Sequence, residues 1–207
     1  MGYRRKPIVY IVDDDEPLLD AVGLLLKSKD IPARTFSDVD AFLNDYLPGQ
    51  SGCLLIDILL PGIDGLELQH TLQDIGSILP VVFITDHGDI PIAVEAMKAG
   101  AFEFLQKPLS DKAVLNCINK ALALGVKNRK ELKKTQTVLD HIAKLSPREK
   151  QVMLSVTDGK ANKVIAQELG LSPRTVEIYR SHVMLKMQVD STIELVNLLN
   201  NGTNIAR

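Results

Sequence analysis

Three consecutive acids, Asp13, Asp14 and Asp15, follow one short apolar run, and Asp57, Thr85 and Lys107 each follow another. If those runs are strands of one parallel sheet, all four places share its carboxyl edge, where open α/β sheets bind ligands. Two carboxylates about 4 Å apart repel by about 4 kcal/mol at an effective dielectric of about 20, so a cluster calls for a cation or for raised pKa values. A hard divalent ion, Mg²⁺ or Mn²⁺, suits oxygen ligands; Mg²⁺ keeps several waters and leaves positions for phosphoryl oxygens. The Asp57 carboxylate is then placed to attack a phosphoryl group. The metal, Lys107 and the Thr85 hydroxyl would bind or neutralise its oxygens. Singly, each residue has a plainer role: Asp14 or Asp15 as a helix cap near Pro17, Asp57 in a solvated loop, Thr85 as a cap, Lys107 simply exposed. Their joint placement carries the catalytic reading. Pro108 lowers the cost of a cis peptide after Lys107 to about 0.5–1 kcal/mol, which would turn the lysine over the crevice; a trans turn stays open.

The elements that must position these residues are legible as patterns. Residues 8–12, 53–56 and 81–84 are continuous apolar runs, as expected of strands covered on both faces. Residues 102–105 and 33–36 are weaker candidates. Helical patterns lie between them at about 17–28, 37–47, 66–75 and 90–99, and another starts at Asp111. Five alternating strands and helices predict a doubly wound parallel sheet. From Asp111 the helical pattern continues, interrupted only by Gly125, to Ser146-Pro147. Leu132, Val138 or Leu139, Ile142 and Leu145 form a narrow apolar seam on it. That seam is either a dimer-forming or interdomain contact or part of a solvated spacer. The pattern predicts a first domain over 1–124, a helical linker over 125–144 and a second domain over 145–207.

At 207 residues and 45% hydrophobic, the chain can bury real cores, and fibrous or wholly disordered readings drop out. Its net charge of −2 hides a division. Residues 1–126 carry 10 basic against 18 acidic side chains, and 127–207 carry 14 against 8. The acidic half suits a multivalent cation or a basic partner, and the basic half a phosphate-rich polymer. Cys53 and Cys117 sit apart in apolar segments, which predicts reduced, buried thiols and a cytoplasmic protein. No run is long enough to span a bilayer. Lys6 stands where myristoylation expects Ser or Thr.

In the basic half, Ser146 is a natural N-cap, with Pro147 at the first helical position and Glu149 completing a capping box. A helix to about Thr157, another over 162–169 and a third from Pro173, with Gly170-Leu171-Ser172 as a tight turn, make a helix-turn-helix. Val176, Tyr179, Val183 and Met187 form the apolar stripe of the third helix. Glu177, Ile178 and Ser181 lie on the opposite face: the acid can accept from cytosine, the isoleucine can meet a thymine methyl, and the serine can bond base edges. Lys163, Arg174, Thr175, Arg180 and Lys186 are assigned to phosphate positioning.

Two sets of motifs are familiar. Ile11-Val12-Asp13-Asp14-Asp15, the segment from Asp57 to Gly65, Phe83-Ile84-Thr85 and Ala96 to Ala101 leading to Lys107-Pro108 resemble a two-component receiver domain. The resemblance implies strand order 2-1-3-4-5 and Asp57 as the phosphoacceptor. It implies metal binding by Asp13, Asp14 and Asp57 with the Leu59 carbonyl, phosphoryl sensing by Thr85 and Lys107, and an aromatic switch at Phe104. Leu60 departs from the family's usual methionine, and Asp86 from the usual small residue after the threonine. The motifs Leu145 to Glu149, Lys163 to Ala166, Leu171 to Glu177 and His182 to Met187 resemble a LuxR-type DNA-binding domain. Together they resemble a response regulator of the FixJ/NarL family. That implies a sensor histidine kinase as phosphate donor, promoter DNA, a homodimer formed through Val94 and Lys98, and room for an RNA polymerase contact. The regulator is expected not to be a turnover enzyme. The alternatives are a DNA-binding regulator independent of phosphorylation and a haloacid-dehalogenase-like phosphatase, whose nucleophile normally follows the first strand.

Overall fold

The computed structural model describes residues 6–62, 65–85 and 90–203, and divides into two compact units, residues 1–130 and 131–207. In the first, strands β1 (Ile8–Val12), β2 (Ala33–Phe36), β3 (Gly52–Asp57), β4 (Val81–Thr85) and β5 (Glu103–Gln106) alternate with helices α1 (Glu16–Ser28), α2 (Val39–Asp45), α3 (Gly65–Asp74) and α4 (Ile90–Lys98). All pairings are parallel and the order is β2-β1-β3-β4-β5, as expected of the family that the motifs suggest. Every residue of β3 and β4 is buried, which explains why their sequences are continuously apolar rather than alternating. Successive side chains feed opposite faces: Tyr10 and Val12 join one core with Phe42, Leu68 and Phe83, while Val9 and Ile11 join another with Leu26, Ile84 and Ile118.

Helix α2 is shorter than the 37–47 expected from pattern, because Asp38 caps its start and Tyr46 is already extended. Helix α5 (Asp111–Ala143) runs through Gly125 without a break. A Cβ on Gly125 would lie 2.0 Å from the Gly52 carbonyl oxygen, and one on Gly52 would lie 2.0 Å from that of Ile8. This glycine therefore marks a close helix-to-strand approach rather than a flexible joint. Asn128 donates to the Ile78 carbonyl at 3.0 Å. The segment expected as a linker is thus divided, its start packed in the first unit and its remainder belonging to the second.

In the second unit α6 (Pro147–Thr157), α7 (Asn162–Leu169), α8 (Pro173–Met187) and α9 (Thr192–Thr203) enclose a core around Val152, Ile165, Val176, Val183 and Leu195. The apolar seam of α5 is spent here: Val138 and Leu145 are buried in that core and Ile142 packs against it, while Leu139 stays exposed. The capping box at Ser146 and Glu149 is present, and Gly170 ends α7 in the left-handed conformation that glycine adopts without a Cβ penalty.

Cys53 and Cys117 are buried and unpaired in a disulfide. Burial pushes their thiols up to about 12 and about 11 respectively. Since the thiolate is the reactive form, both are expected to resist a thiol reagent at neutral pH until the first unit is unfolded by denaturant. Stoichiometric labelling of the native protein within minutes would contradict this. Among the described residues, no helix is long and apolar enough to cross a membrane.

Candidate functional site

The strand register sets the geometry at the carboxyl edge of the sheet. Val12 pairs with Ile56, Asp57 with Ile84, and Thr85 with Gln106, so Asp13, Asp57, Thr85 and Lys107 emerge at one level. The Lys107 amide donates to the Thr85 carbonyl at 2.9 Å, and the Lys107–Pro108 peptide is cis. The lysine ammonium lies 2.8 Å from Asp57 Oδ2 and 3.1 Å from Asp13 Oδ2. Asp13, Asp57 and Thr85 are all buried, and Asp14 is exposed.

The three acids after β1 divide their labour. Asp15 caps α1, accepting from the Leu18 amide at 3.2 Å, while its own amide donates to Asp13 Oδ1 at 2.9 Å. One oxygen each from Asp13, Asp14 and Asp57 lies within 4.8 Å of the others. The Leu59 amide donates to Asp57 Oδ1 at 2.9 Å, which fixes the carboxylate's orientation. Gly65, at the start of α3, lets that helix close on the strand end: a Cβ there would sit 2.8 Å from the Asp57 carbonyl oxygen.

The electrostatics follow from burial. Desolvation pushes the Asp13 carboxyl up, against the lowering effects of the Asp15 amide and Lys107. Burial alone would pull Lys107 down, but its hydrogen bond to Asp57 and its attraction to Asp57 and Asp13 outweigh it, and the ammonium is held above its ordinary range. Asp13 Oδ2 is buried and accepts no hydrogen bond, its contact with Lys107 lacking hydrogen-bond direction. The Lys107 ammonium, 3.1 Å away, offsets its charge but leaves its hydrogen-bonding capacity incompletely used. A cation bound by oxygen ligands would satisfy it, so the donor set fits a hard divalent ion. Phe104 on β5 is half-buried against the core beside β4. Asp86, expected beside the crevice, lies outside the described residues.

On the second unit, the face of α8 away from its core exposes Arg174, Glu177, Ile178 and Ser181, and Lys163 of α7 is also exposed. Val176, Val183 and Met187 are buried and Tyr179 packs against the same core, as the apolar stripe predicts. The residues assigned to phosphate are not alike. Thr175 is tied to its cap, with Oγ1 2.8 Å from Ser172 Oγ. Arg180 donates to Asn162 Oδ1 at 2.8 Å and to Thr192 Oγ1 at 3.1 Å, linking three helices. Lys186, expected among the phosphate contacts, instead donates to both oxygens of the buried Glu149, at 2.8 and 2.7 Å. Sequence reasoning found the capping box but missed this pairing, because the two residues lie on different helices and no local pattern joins them.

Glu149 also accepts from the Ser146 amide at 2.7 Å. With the Lys186 hydrogen bond as the larger cause, its carboxyl is lowered from 4.5 to about 2. A carboxyl depressed on folding adds stability above its unfolded pKa and loses it as pH falls through the folded value. The stability difference between the parent and Glu149→Gln is therefore expected to be full above about pH 4.5 and to shrink toward pH 2. Urea titrations of both proteins across that range check this; a pH-independent difference would refute it.

Comparison with known proteins places these two surfaces in context. Residues 9–119 match the family described as response regulator receiver domain, and residues 143–199 match bacterial regulatory proteins of the luxR family. The transcriptional regulatory protein FixJ of Bradyrhizobium diazoefficiens is 44% identical over 194 residues, covering 93% of this chain and 94% of its own. The response regulator protein TodT of Pseudomonas putida is 38% identical over 194 residues, covering 94% of this chain and 86% of its own. Among solved structures, the response regulator StyR matches with a TM-score of 0.80 at 40% identity, covering 95% of this chain and 99% of its own. Full-length FixJ from B. japonicum matches with a TM-score of 0.57 at 40% identity, over 95% of this chain and 97% of its own.

Proposed function

Because this chain belongs to the FixJ/NarL family of two-component response regulators, and is thus a phosphorylation-dependent transcriptional regulator, we propose that Asp57 is its phosphoacceptor and a sensor histidine kinase the donor. The single observation that carries the assignment is the Asp57 carboxylate, buried at a strand end, oriented by the Leu59 amide and paired with Lys107. Asp13, Asp14 and Asp57, with the Leu59 carbonyl, would hold Mg²⁺ or Mn²⁺, which when bound supplies positive charge to the transferring phosphoryl oxygens. Lys107 neutralises one oxygen and keeps the phosphorylated carboxyl in place. The Thr85 hydroxyl binds another, and its movement is coupled to Phe104 on the adjacent strand. The same site would release phosphate to water slowly, without multiple turnover of a separate substrate.

Residues 1–124 act within the receiver and 145–207 within the DNA-binding domain, and of the joining segment 125–144 the part to Lys130 serves the first and the part from Glu131 the second. In α4, Val94 and Lys98 are exposed and offer a pairing surface for a second copy. Glu177, Ile178 and Ser181 read base edges, with Lys163 and Arg174 on phosphate; Thr175 and Arg180 brace the recognition helix α8 and touch the backbone only at its margin. Two such helices fit half-sites about one helical turn apart, roughly 34 Å. The protein works in the cytoplasm, where its kinase and promoter are accessible, and RNA polymerase is a further partner on the promoter.

Phosphorylation acts only by binding one conformation better than another. Incubation with acetyl phosphate and Mg²⁺ is therefore expected to shift sedimentation from monomer to dimer and to tighten promoter binding. Phosphorylated protein that remains monomeric and binds DNA unchanged would overturn this reading in favour of phosphorylation-independent regulation.

A further inference from the structure

Lys186 lies on the recognition helix α8, where an unpaired ammonium would add to the positive field that attracts any DNA. Its Nζ instead donates to both carboxylate oxygens of Glu149, at 2.8 and 2.7 Å. That glutamate is 3% exposed, and its Oε2 also accepts from the Ser146 amide at 2.7 Å. The lysine side chain itself is 38% exposed, so it has access to solvent and is held by its partner rather than by enclosure. Moving it to a phosphate would leave a desolvated carboxylate without its counter-charge. The loss of a buried partner outweighs the return from one solvent-screened phosphate contact. His182, one turn earlier on α8, also faces this carboxylate, with Nδ1 3.7 Å from Oε1.

We propose that Glu149 withholds Lys186 from the DNA backbone, and so limits sequence-independent binding without weakening base readout. Glu149 is then a positioning residue for DNA recognition, acting through Lys186. The inference rests on the DNA-binding reading above. It distinguishes the lysine from Lys163 and Arg174, which are exposed and whose side chains add to the non-specific attraction.

The test is the salt dependence of binding to a labelled random-sequence duplex, measured by fluorescence anisotropy on the full chain at one fixed pH. Each phosphate contact contributes about 0.9 to the slope of log affinity against log salt. Glu149→Gln keeps the side chain's shape and removes the counter-charge that holds the lysine, so the slope is expected to steepen by about 0.9. Between about 50 and 200 mM salt, affinity would then fall about 3.5-fold further than in the parent. The double variant Glu149→Gln with Lys186→Met removes both members of the pair and is expected to match the parent's slope. Circular dichroism at the assay temperature confirms that each variant is folded. An unchanged slope in folded Glu149→Gln overturns the proposal. If that variant does not fold, a double variant shallower than the parent by about 0.9 overturns it, since Lys186 would already have been on phosphate. A parent that binds no duplex even at about 50 mM salt sinks the DNA-binding reading itself.

Discussion

Asp57→Asn is expected to abolish phosphoryl uptake: in acetyl phosphate and Mg²⁺ the parent gains the mass of one phosphoryl group and the variant gains none. Among the described residues, the geometry leaves no equivalent acceptor. Asp13 has one oxygen held by the Asp15 amide and the other against Lys107, and Asp15 is committed to capping α1. Asp14 belongs to the same cluster but is exposed, so its carboxylate is solvated. Asparagine preserves the shape of Asp57 and can still accept from the Leu59 amide, so the loss is one of nucleophilicity and not of fold. Removing a nucleophile typically costs on the order of 10⁴-fold or more in rate. Intact-mass spectrometry over the parent's reaction time measures it. Equal labelling of parent and variant would move the acceptor elsewhere.

Gly125→Ala is expected to destabilise the first unit strongly, although alanine is the better helix former. In an exposed helix interior this substitution stabilises by about 0.5–1 kcal/mol. Here the added methyl would fall 2.0 Å from the Gly52 carbonyl oxygen, in a strand paired on one side with β1 and on the other with β4 and so not free to shift. The obstacle is not a side chain that can rotate away. Helix α5 must move off β3, with a cost of about 3 kcal/mol or more. For a domain of this size the midpoint of thermal unfolding falls by about 10 °C or more. Calorimetry decides by sign, and an unchanged or raised midpoint would show that the helix is not held this close.

Most of the sheet was legible because burial on both faces writes itself as uninterrupted Val, Ile and Leu, in β1, β3 and β4 alike. The crevice followed from topology: parallel strands bring their carboxyl ends to one edge, so Asp13, Asp57, Thr85 and Lys107 could be assembled before any distance was known. What stayed hidden was the distinction between chemically identical neighbours. The run Asp13-Asp14-Asp15 offered Asp14 or Asp15 as the cap near Pro17 without choosing between them, and backbone direction at the end of β1 decides for Asp15 and buries Asp13. Pairings between separate helices were equally silent, which is why Lys186 read as one more surface cation. Gly125 read as an interruption because a pattern search counts missing side chains, whereas packing can require one to be missing.

The burial of Val138 and Leu145 beside Val152 and Leu195 also sets where a useful fragment can begin. A truncation starting at Leu145, as motif boundaries invite, would discard Val138 and Ile142 and leave their greasy counterparts facing water, inviting aggregation during expression. One starting at Glu131 keeps the last three turns of α5 as a lid on its own hydrophobic floor, and is the shorter piece from which a well-behaved, separately purified module should come.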